Sequence, residues 1–169
     1  MKAIVCMNEM KGIGYRNRLP WRLKRDLDFF REVTMGKGNN AVIMGYKTFQ
    51  SMGCRSLAKR RNYIITHNPQ EKIKSCGADV VFESNIENLL MLDSIFDEVF
   101  VIGGEAIYKL FEPYYQQIYV THIKNPCPVD TFFSVDLKSY RRKLIQSSSE
   151  NKIPMEFYVY TKKTPEEMV

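Results

Sequence analysis

The distribution of apolar and polar residues along the chain predicts a regular succession of strands and helices. Residues 2–7 are mostly apolar, which is typical of a central strand buried on both faces. Weakly polar or apolar positions then recur at steps of three and four residues with charged residues between them. This spacing predicts an amphipathic helix from about Lys24 to Met35, ended by the glycines and asparagines of residues 36–40. The residues with this spacing are Leu23, Leu27, Phe30 and Thr34.

The rest of the chain repeats this alternation. Strands are predicted at residues 41–44, 62–66, 79–82, 98–102 and 117–123, and helices at residues 47–52, 86–95 and 105–111. From Tyr140 to Thr161 no helix pattern occurs, and an antiparallel hairpin joined through residues 147–149 and Asn151 is predicted. The order is typical of an α/β fold. We expect one domain over residues 1–169, with a central, mostly parallel sheet of about eight strands, helices on both faces and an antiparallel C-terminal hairpin.

Composition and charge narrow the class of protein without identifying it. The chain has 169 residues, of which 44% are hydrophobic and 26% charged, and this excludes a disordered, collagen-like or membrane-spanning protein. Its 25 Lys and Arg against 19 Asp and Glu give a net charge of +6. Such an excess suggests an anionic partner, but it does not distinguish nucleic acid, membrane, nucleotide or acidic metabolite.

The cysteines and histidines indicate a reducing compartment and no metal site. The apolar stretch near the N-terminus ends at Asn8, too early for a signal peptide. The four cysteines, Cys6, Cys54, Cys76 and Cys127, form no CxxC pair, so we expect them to be reduced. Only two histidines are present, far apart in the sequence, which argues against a metal centre. We expect a cytoplasmic monomer that binds no membrane.

A glycine pair, Gly103-Gly104, lies where a predicted strand ends and a helix begins. Adjacent glycines at such a junction let the backbone approach a ligand closely, and the helix N-terminus offers free N–H groups to a phosphate. A tight strand-to-helix turn without a ligand would require the same two residues. The dipeptide by itself leaves both interpretations open.

Asp26 is an acidic residue at the border of the apolar face of the first helix. It is one position from Leu27 and three from both Leu23 and Phe29. A carboxylate near the core loses hydration unless a partner binds it, and its pKa then tends to rise. Such a group can bind an amidine-like ligand edge through two hydrogen bonds or assist protonation. The alternative is an ordinary first-turn acid that the helix dipole stabilises.

The neighbours of Asp26 and several later segments, taken in chain order, resemble the dihydrofolate reductase family. Each segment is weak evidence by itself, but the whole series is specific, and only the part after about Tyr140 matches in general character alone. The matching segments are Gly12-Ile13-Gly14, Leu19-Pro20-Trp21, Leu23 with Asp26, Leu27 and Phe30, residues 42–52, Arg60, residues 62–66, Val101-Ile102-Gly103-Gly104, Ile107-Tyr108, residues 119–123, and Asp130-Thr131 with Phe133.

The resemblance implies hydride transfer from NADPH to 7,8-dihydrofolate, which gives 5,6,7,8-tetrahydrofolate. It implies that Asp26 binds the amino-pyrimidine edge of the pterin and promotes protonation at N5, that Thr121 supports this carboxylate, and that Trp21 orders a water molecule. It also implies that Arg60 binds the α-carboxylate of the substrate's glutamate through two hydrogen bonds. The other substrate-binding residues that it implies are Ile4, Val5, Leu27, Phe30, Met52, Leu57, Ile102 and Tyr108.

The same resemblance implies a cofactor site around the two glycine turns. Two segments would contact the pyrophosphate at helix N-termini: Gly45 with Lys47 and Thr48, and Gly103 and Gly104 with Glu105 and Ala106. Residues expected near the nicotinamide are Cys6 and Ile13, with Gly14, Ile102 and Tyr108 completing the cofactor site. Thr66 and His67 are expected to lie against the adenosine phosphate.

Four features depart from the family pattern. Tyr46 stands where the family usually has Arg or Lys against the adenosine 2′-phosphate, and His67 stands where a second cation or a small polar residue is frequent. Lys47 and Thr66 remain, so NADPH is still favoured, but we expect a smaller preference for it over NADH. Cys6 replaces the usual Ala and brings a thiol near the nicotinamide, where we expect it to be a packing residue. Ala58-Lys59 replaces the usual Pro-Gly before Arg60, which affects the direction of the Arg60 side chain.

Two alternative functions are weighed against this one. A reductase of the same fold, acting on a pyrimidine intermediate of riboflavin synthesis, would keep the glycine turns but would not need Trp21, Asp26, Phe30 and Arg60 together. A basic nucleic-acid-binding module is suggested by the positive runs at residues 22–25, 59–61 and 141–143. No RNA-binding aromatic motif accompanies those runs, so we expect a solvated surface and no dedicated nucleic-acid site.

Overall fold

The computed structural model of the chain describes residues 1–70 and 80–169. Its framework is an eight-stranded sheet with the order β5-β4-β3-β6-β1-β7-β10-β9. The strands of this sheet are β1 (Lys2–Met7), β3 (Asn40–Gly45), β4 (Arg61–Ile65), β5 (Val80–Glu83), β6 (Glu98–Val101), β7 (Gln117–Ile123), β9 (Tyr140–Glu150) and β10 (Ile153–Lys162). The pairs from β5 to β7 are parallel, and β10 pairs antiparallel with both β7 and β9.

Helices cover both faces of this sheet. They are α1 (Lys24–Met35), α2 (Tyr46–Ser51), α3 (Ile86–Leu90) and α4 (Glu105–Leu110), and 3-10 turns follow α3 at Met91–Ser94 and α4 at Glu112–Tyr114. One buried cluster contains Phe29 of α1 and Phe49 of α2, whereas the other contains Leu89 of α3 and Tyr108 of α4. The fold class predicted from the sequence, including the mostly parallel sheet and the antiparallel C-terminal hairpin, is confirmed.

The parallel arrangement determines where a ligand can meet the chain. β3, β6, β1 and β7 are neighbours in the sheet, and their carboxyl ends lie along one edge. β1 supplies residues to both cores because its side chains alternate between the two faces: Val5 belongs to one cluster, and Ile4 to the other. Residues near the ends of these four strands therefore surround a common crevice.

Three predicted elements differ in the structure. The hairpin does not turn at residues 147–149, since these serines lie inside β9; it turns at Asn151 and Lys152, both with positive φ. Such a two-residue turn matches the twist of the flanking strands. The predicted helix at residues 86–95 is α-helical only to Leu90 and continues as a 3-10 turn. The segment with Gly12 and Gly14 contains a short strand, β2 (Gly12–Gly14), paired with β8 (Thr131–Phe132).

Parts of two predictions lie outside the described residues, namely Asp79 at the start of the predicted strand 79–82 and the thiol of Cys76. Cys6, Cys54 and Cys127 are free. No helix in the described part of the chain has both the length and the apolar character needed to cross a membrane.

Candidate active site

Asp26 is held against the sheet by the apolar face of α1. Leu23 and Phe29, three residues away on either side, are 2% and 7% exposed, so the helix surface between them faces the strands. The Asp26 carboxyl is only half-buried, but the desolvation is enough to raise its pKa above the ordinary range. Interactions with the side chains of Thr121 and Cys6 act in the opposite direction.

The start of α1 is stabilised by a different acid. Glu150, the last residue of β9, accepts hydrogen bonds from the backbone N–H groups of Lys24 at 2.8 Å and Arg25 at 3.0 Å. Because a carboxylate from another element occupies the N-terminal donors, Asp26 has no capping role. Asp26 is therefore better explained as a carboxyl that binds a ligand in the crevice than as an ordinary first-turn acid stabilised by the helix dipole.

Trp21 and Tyr108 complete the surroundings of this carboxyl. Trp21 is 7% exposed, and its indole N–H is buried without a hydrogen-bond partner among the described residues. A buried donor of this kind is costly unless a ligand or water satisfies it. The Tyr108 hydroxyl donates to the backbone carbonyl of Ile4 at 2.8 Å, which joins α4 to β1. Two further residues were predicted here: Val5 follows Ile4 on β1, and Ile102 is the first residue after the end of β6.

A second group of predicted residues lies farther along α1. The Arg60 guanidinium is 6.0 Å from the Phe30 ring centroid, and it donates through Nη1 to Thr34 Oγ1 at 2.9 Å and through Nε to the Ala58 carbonyl at 2.9 Å. Burial, and to a lesser extent the charge of Arg31, lowers the pKa of Arg60. Met52 and Leu57 are half-buried against the cluster that contains Phe29 and Phe49, and Leu27 is 40% exposed.

Two supporting residues here were not predicted from the sequence. Thr34 is fully buried, and its hydroxyl donates to the Phe30 carbonyl at 2.7 Å while it accepts from Arg60. Asn62, on β4, exchanges two hydrogen bonds of 2.9 Å with the backbone of Leu57 and so fixes the segment before Arg60. Both are buried polar residues in otherwise apolar patterns, and this was the signal available in the sequence.

The two glycine turns lie next to each other at the carboxyl ends of β3 and β6. Gly45 precedes α2 and Gly104 precedes α4, and neither helix start has a side-chain cap. Space is limited, because a Cβ on Gly45 would lie 3.0 Å from Ile107 Cγ1, and one on Gly104 would lie 3.4 Å from Thr48 Oγ1. The peptide bond between Gly103 and Gly104 is cis. The free N–H groups of two helix starts thus face one confined region, an arrangement suited to an anion.

The other predicted cofactor residues surround this region. Lys47 is exposed on α2, and Glu105 and Ala106 begin α4. The backbone N–H of Thr66 donates to the Glu83 carbonyl at 3.0 Å, whereas His67 is exposed. The ring of Tyr46 packs against the rings of Phe49 and Phe82, with centroid distances of 6.5 and 6.4 Å. It therefore does not take the place of the extended, positively charged side chain that is usual at this position.

The loop that carries Ile13 and Gly14 is anchored by a residue that was not predicted. Asn8 is 2% exposed, and its Oδ1 accepts from the backbone N–H groups of Met10 and Gly12 at 3.1 and 2.9 Å. Its Nδ2 donates to the carbonyl of Asn125 at 3.2 Å. This buried amide follows the apolar residues of β1 and fixes the loop next to the end of that strand.

Comparisons with known proteins agree with this arrangement. The family model described as dihydrofolate reductase matches residues 1–162. A dihydrofolate reductase of Staphylococcus haemolyticus is 34% identical over 162 residues, which cover 95% of this chain and 93% of that one. One from Bacillus subtilis (strain 168) is 33% identical over 165 residues, again covering 95% and 93% of the two chains.

A solved structure extends this agreement to three dimensions. It is a dihydrofolate reductase from Enterococcus faecalis in complex with NADP(H) and a second compound, with a TM-score of 0.84, 28% sequence identity and 96% of each chain covered. The sequence match runs through both glycine turns, α1 and the strands that carry Cys6 and Thr121. On these grounds the chain belongs to the dihydrofolate reductase family.

Proposed function

We propose that this chain reduces 7,8-dihydrofolate to 5,6,7,8-tetrahydrofolate with NADPH. The observation that carries the proposal is the Asp26 carboxyl, which α1 presents to Thr121 in a partly desolvated crevice beside an unsatisfied indole N–H. A carboxyl in this environment can accept two parallel hydrogen bonds from an amino-pyrimidine edge. Membership of the dihydrofolate reductase family supports the same substrate.

The groups along α1 fit an elongated substrate with a charged end. Asp26 would bind the pterin, and Phe30 with Met52 and Leu57 would line the central part. Arg60 would receive the terminal carboxylate, since two of its nitrogens are held by Thr34 and Ala58 and its remaining N–H groups are available. The lowered pKa of Arg60 does not discharge it, because a guanidinium stays protonated at neutral pH.

The residues at the glycine turns fit a dinucleotide phosphate. The uncapped N-termini of α2 and α4 offer backbone donors, and Thr48 stands beside Gly104 with Lys47 next to it. These residues would hold the NADPH pyrophosphate, while Cys6, Ile13 and Gly14 would contact the nicotinamide end. When bound, NADPH supplies the hydride. The protein's task is then to hold the donor and the acceptor in contact and to exclude water.

Asp26 is the proposed source of the proton. Because burial raises its pKa, the carboxyl is protonated over a wider pH range than an exposed aspartic acid. Thr121 would fix the orientation of the carboxyl, and Trp21 would use its free N–H to hold a water molecule between the carboxyl and the substrate. The proton would pass from the Asp26 carboxyl oxygen through this water toward N5.

The proposal is tested by following the loss of NADPH absorbance in the presence of dihydrofolate and identifying the product as tetrahydrofolate. Turnover with dihydrofolate, and none with an aminopyrimidine ribityl substrate, is the expected result. Turnover of the aminopyrimidine alone would favour the same-fold reductase of riboflavin synthesis. RNA binding that falls steeply with salt, with no NADPH consumption, would favour the nucleic-acid-binding alternative.

A further inference from the structure

Cys6, for which the proposal above names only a contact with the nicotinamide end, also packs against the buried cluster that contains Leu23 and Phe29, the neighbours of Asp26 on either side. In the parallel pairing of β1 with β7, Cys6 lies directly opposite Thr121. Paired residues of neighbouring strands present their side chains on the same face of a sheet. The thiol and the hydroxyl are therefore adjacent, and the Asp26 carboxyl is near enough to both side chains for each to lower its pKa.

We propose that the Cys6 S–H is a second hydrogen-bond donor to the Asp26 carboxylate, beside the Thr121 hydroxyl. In proton transfer Cys6 is then a positioning residue, because it acts on the proton only through the Asp26 carboxyl. The strand register and the packing of Cys6 against Leu23 and Phe29 bring the thiol to the face of the sheet on which α1 carries Asp26. Its consequence for turnover rests on the proposed function.

The electrostatics of the pair support this direction of donation. Burial is the main reason that the pKa of Cys6 lies well above its ordinary range, and the charge of Asp26 and the hydrogen-bonding interaction with it raise that pKa further. A thiol with a raised pKa keeps its proton at neutral pH, so it can donate and is a poor nucleophile. In return, the interaction with Cys6 lowers the pKa of Asp26 against the larger rise caused by burial.

The other groups around the pair come from two elements. The Tyr108 hydroxyl, on α4, is directed to the Ile4 carbonyl, and its pKa is raised by burial and by the charges of Cys6 and Asp26. The indole of Trp21, before α1, lies near the Cys6 sulfur, and its hydrogen-bonding influence lowers the pKa of the thiol, the weakest of the four influences on it.

The charged residues nearby on α1 and β9 are directed to solvent. Lys24 and Asp28 form an exposed ion pair at 2.7 Å, and Arg25 is exposed. The Glu150 carboxylate, on β9, is engaged by backbone N–H groups of α1. The titration of Asp26 is therefore governed by burial, Thr121 and Cys6, so that loss of the thiol donor has a measurable effect.

The test compares Cys6→Ala with Cys6→Ser. Both side chains are smaller than cysteine and admit a similar amount of water, but only serine keeps a donor. The pKa of Asp26 is measured in the protein without substrate by ¹³C NMR titration of aspartate carboxyl carbons, with Asp26→Asn assigning the signal. We expect the Asp26 pKa in Cys6→Ala to exceed that in Cys6→Ser by on the order of half a pH unit. Equal values, or a lower value in the alanine variant, would overturn the proposal.

Cys127→Ala is the matched control, because it removes another half-buried thiol that contacts the Asn8 amide and not Asp26. Its Asp26 titration should match the wild type, and a shift as large as that of Cys6→Ala would also overturn the proposal. The pH profile of hydride transfer should move by the same amount as the NMR titration. Since the NMR measurement needs no substrate, it decides the contact even if the chain does not reduce dihydrofolate.

Discussion

The backbone N–H of Gly45 donates a hydrogen bond of 2.9 Å to the carbonyl of Gly103. This bond joins the two strand-to-helix turns at the ends of β3 and β6, which are neighbours in the parallel sheet. It brings the N-termini of α2 and α4 together, although α2 and α4 are about sixty residues apart in the chain. The proposed pyrophosphate site is thus a product of strand order.

Substitution of Gly103 should damage both stability and cofactor binding. Gly103 has a φ of +126°, a region that residues with a side chain rarely adopt, and an added Cβ would lie 3.5 Å from the Tyr108 ring. We expect Gly103→Ala to lower the free energy of unfolding by about 1–3 kcal/mol and to raise the KM for NADPH. Denaturant unfolding and steady-state kinetics measure the two effects.

Gly38→Ala is the control for backbone strain. Gly38 also has a positive φ, of +92°, but it lies outside the proposed cofactor site, with no described atom within 4 Å of an added Cβ. The Gly38→Ala variant should have a lower free energy of unfolding than the wild type but an unchanged KM for NADPH. An equal rise of that KM in both variants would contradict the proposed role of the Gly103 turn.

Arg60→Lys should weaken binding of the substrate's glutamate and leave the pterin end unaffected. Lysine keeps the charge but not the two parallel donors of the guanidinium, and it cannot keep both the Thr34 and the Ala58 contacts. We expect the KM for dihydrofolate to rise on the order of tenfold with little change in kcat. A dihydropterin substrate that lacks the glutamate should be reduced equally well by both proteins. The control variant is Arg61→Lys, at an exposed neighbouring residue that is not assigned to the proposed substrate site.

Tyr46→Arg should increase the preference for NADPH. The Tyr46 ring packs against Phe49 and Phe82 and brings no cation to the proposed adenosine site, so we expect a wild-type preference smaller than is usual in the family. Arginine would add a charge-assisted contact to the 2′-phosphate, which we expect to raise the ratio of kcat/KM for NADPH to that for NADH by about tenfold. If NADH is essentially inert with the wild type, the expectation of a weak preference is wrong.

Asp26 should reduce the stability of the fold at neutral pH. Burial raises its folded-state pKa above the unfolded value, so the folded state binds the proton more tightly. The contribution of Asp26 to the stability of the fold therefore becomes unfavourable as the pH rises from its pKa in the unfolded state through its pKa in the folded state. We expect Asp26→Asn to be more stable than the wild type at neutral pH by on the order of 1 kcal/mol, with the difference vanishing in acid. Urea unfolding at several pH values measures this, and a difference that does not change with pH would contradict it.

The elements that could be predicted are those whose ends are determined by residues close by in the sequence. Lys24–Met35 has the predicted bounds because the spacing of Leu23, Leu27 and Phe30 and the following glycine are local signals. The predicted hairpin turn is correct at Asn151 and wrong at residues 147–149, because three serines favour a turn by composition, whereas the pairing of β9 with β10 extends the strand to Glu150.

The contacts that orient the site could not be predicted because they join distant segments. Glu150 reaches the start of α1 across 125 residues, and Thr34 meets Arg60 across 26. The motifs around Asp26 predict a set of site residues. The neighbours that orient them depend on strand order and register, which no local pattern contains.

The most direct measurement compares hydride transfer to dihydrofolate in the wild type and in Asp26→Asn, by following the loss of NADPH absorbance in single turnovers across a range of pH. We expect clear turnover by the wild type, with a rate that declines as the pH rises through the titration of Asp26. We expect Asp26→Asn to bind both ligands but to transfer hydride more slowly by roughly a hundredfold or more at neutral pH. Absence of wild-type turnover, or a variant as fast as the wild type at neutral pH, would contradict it.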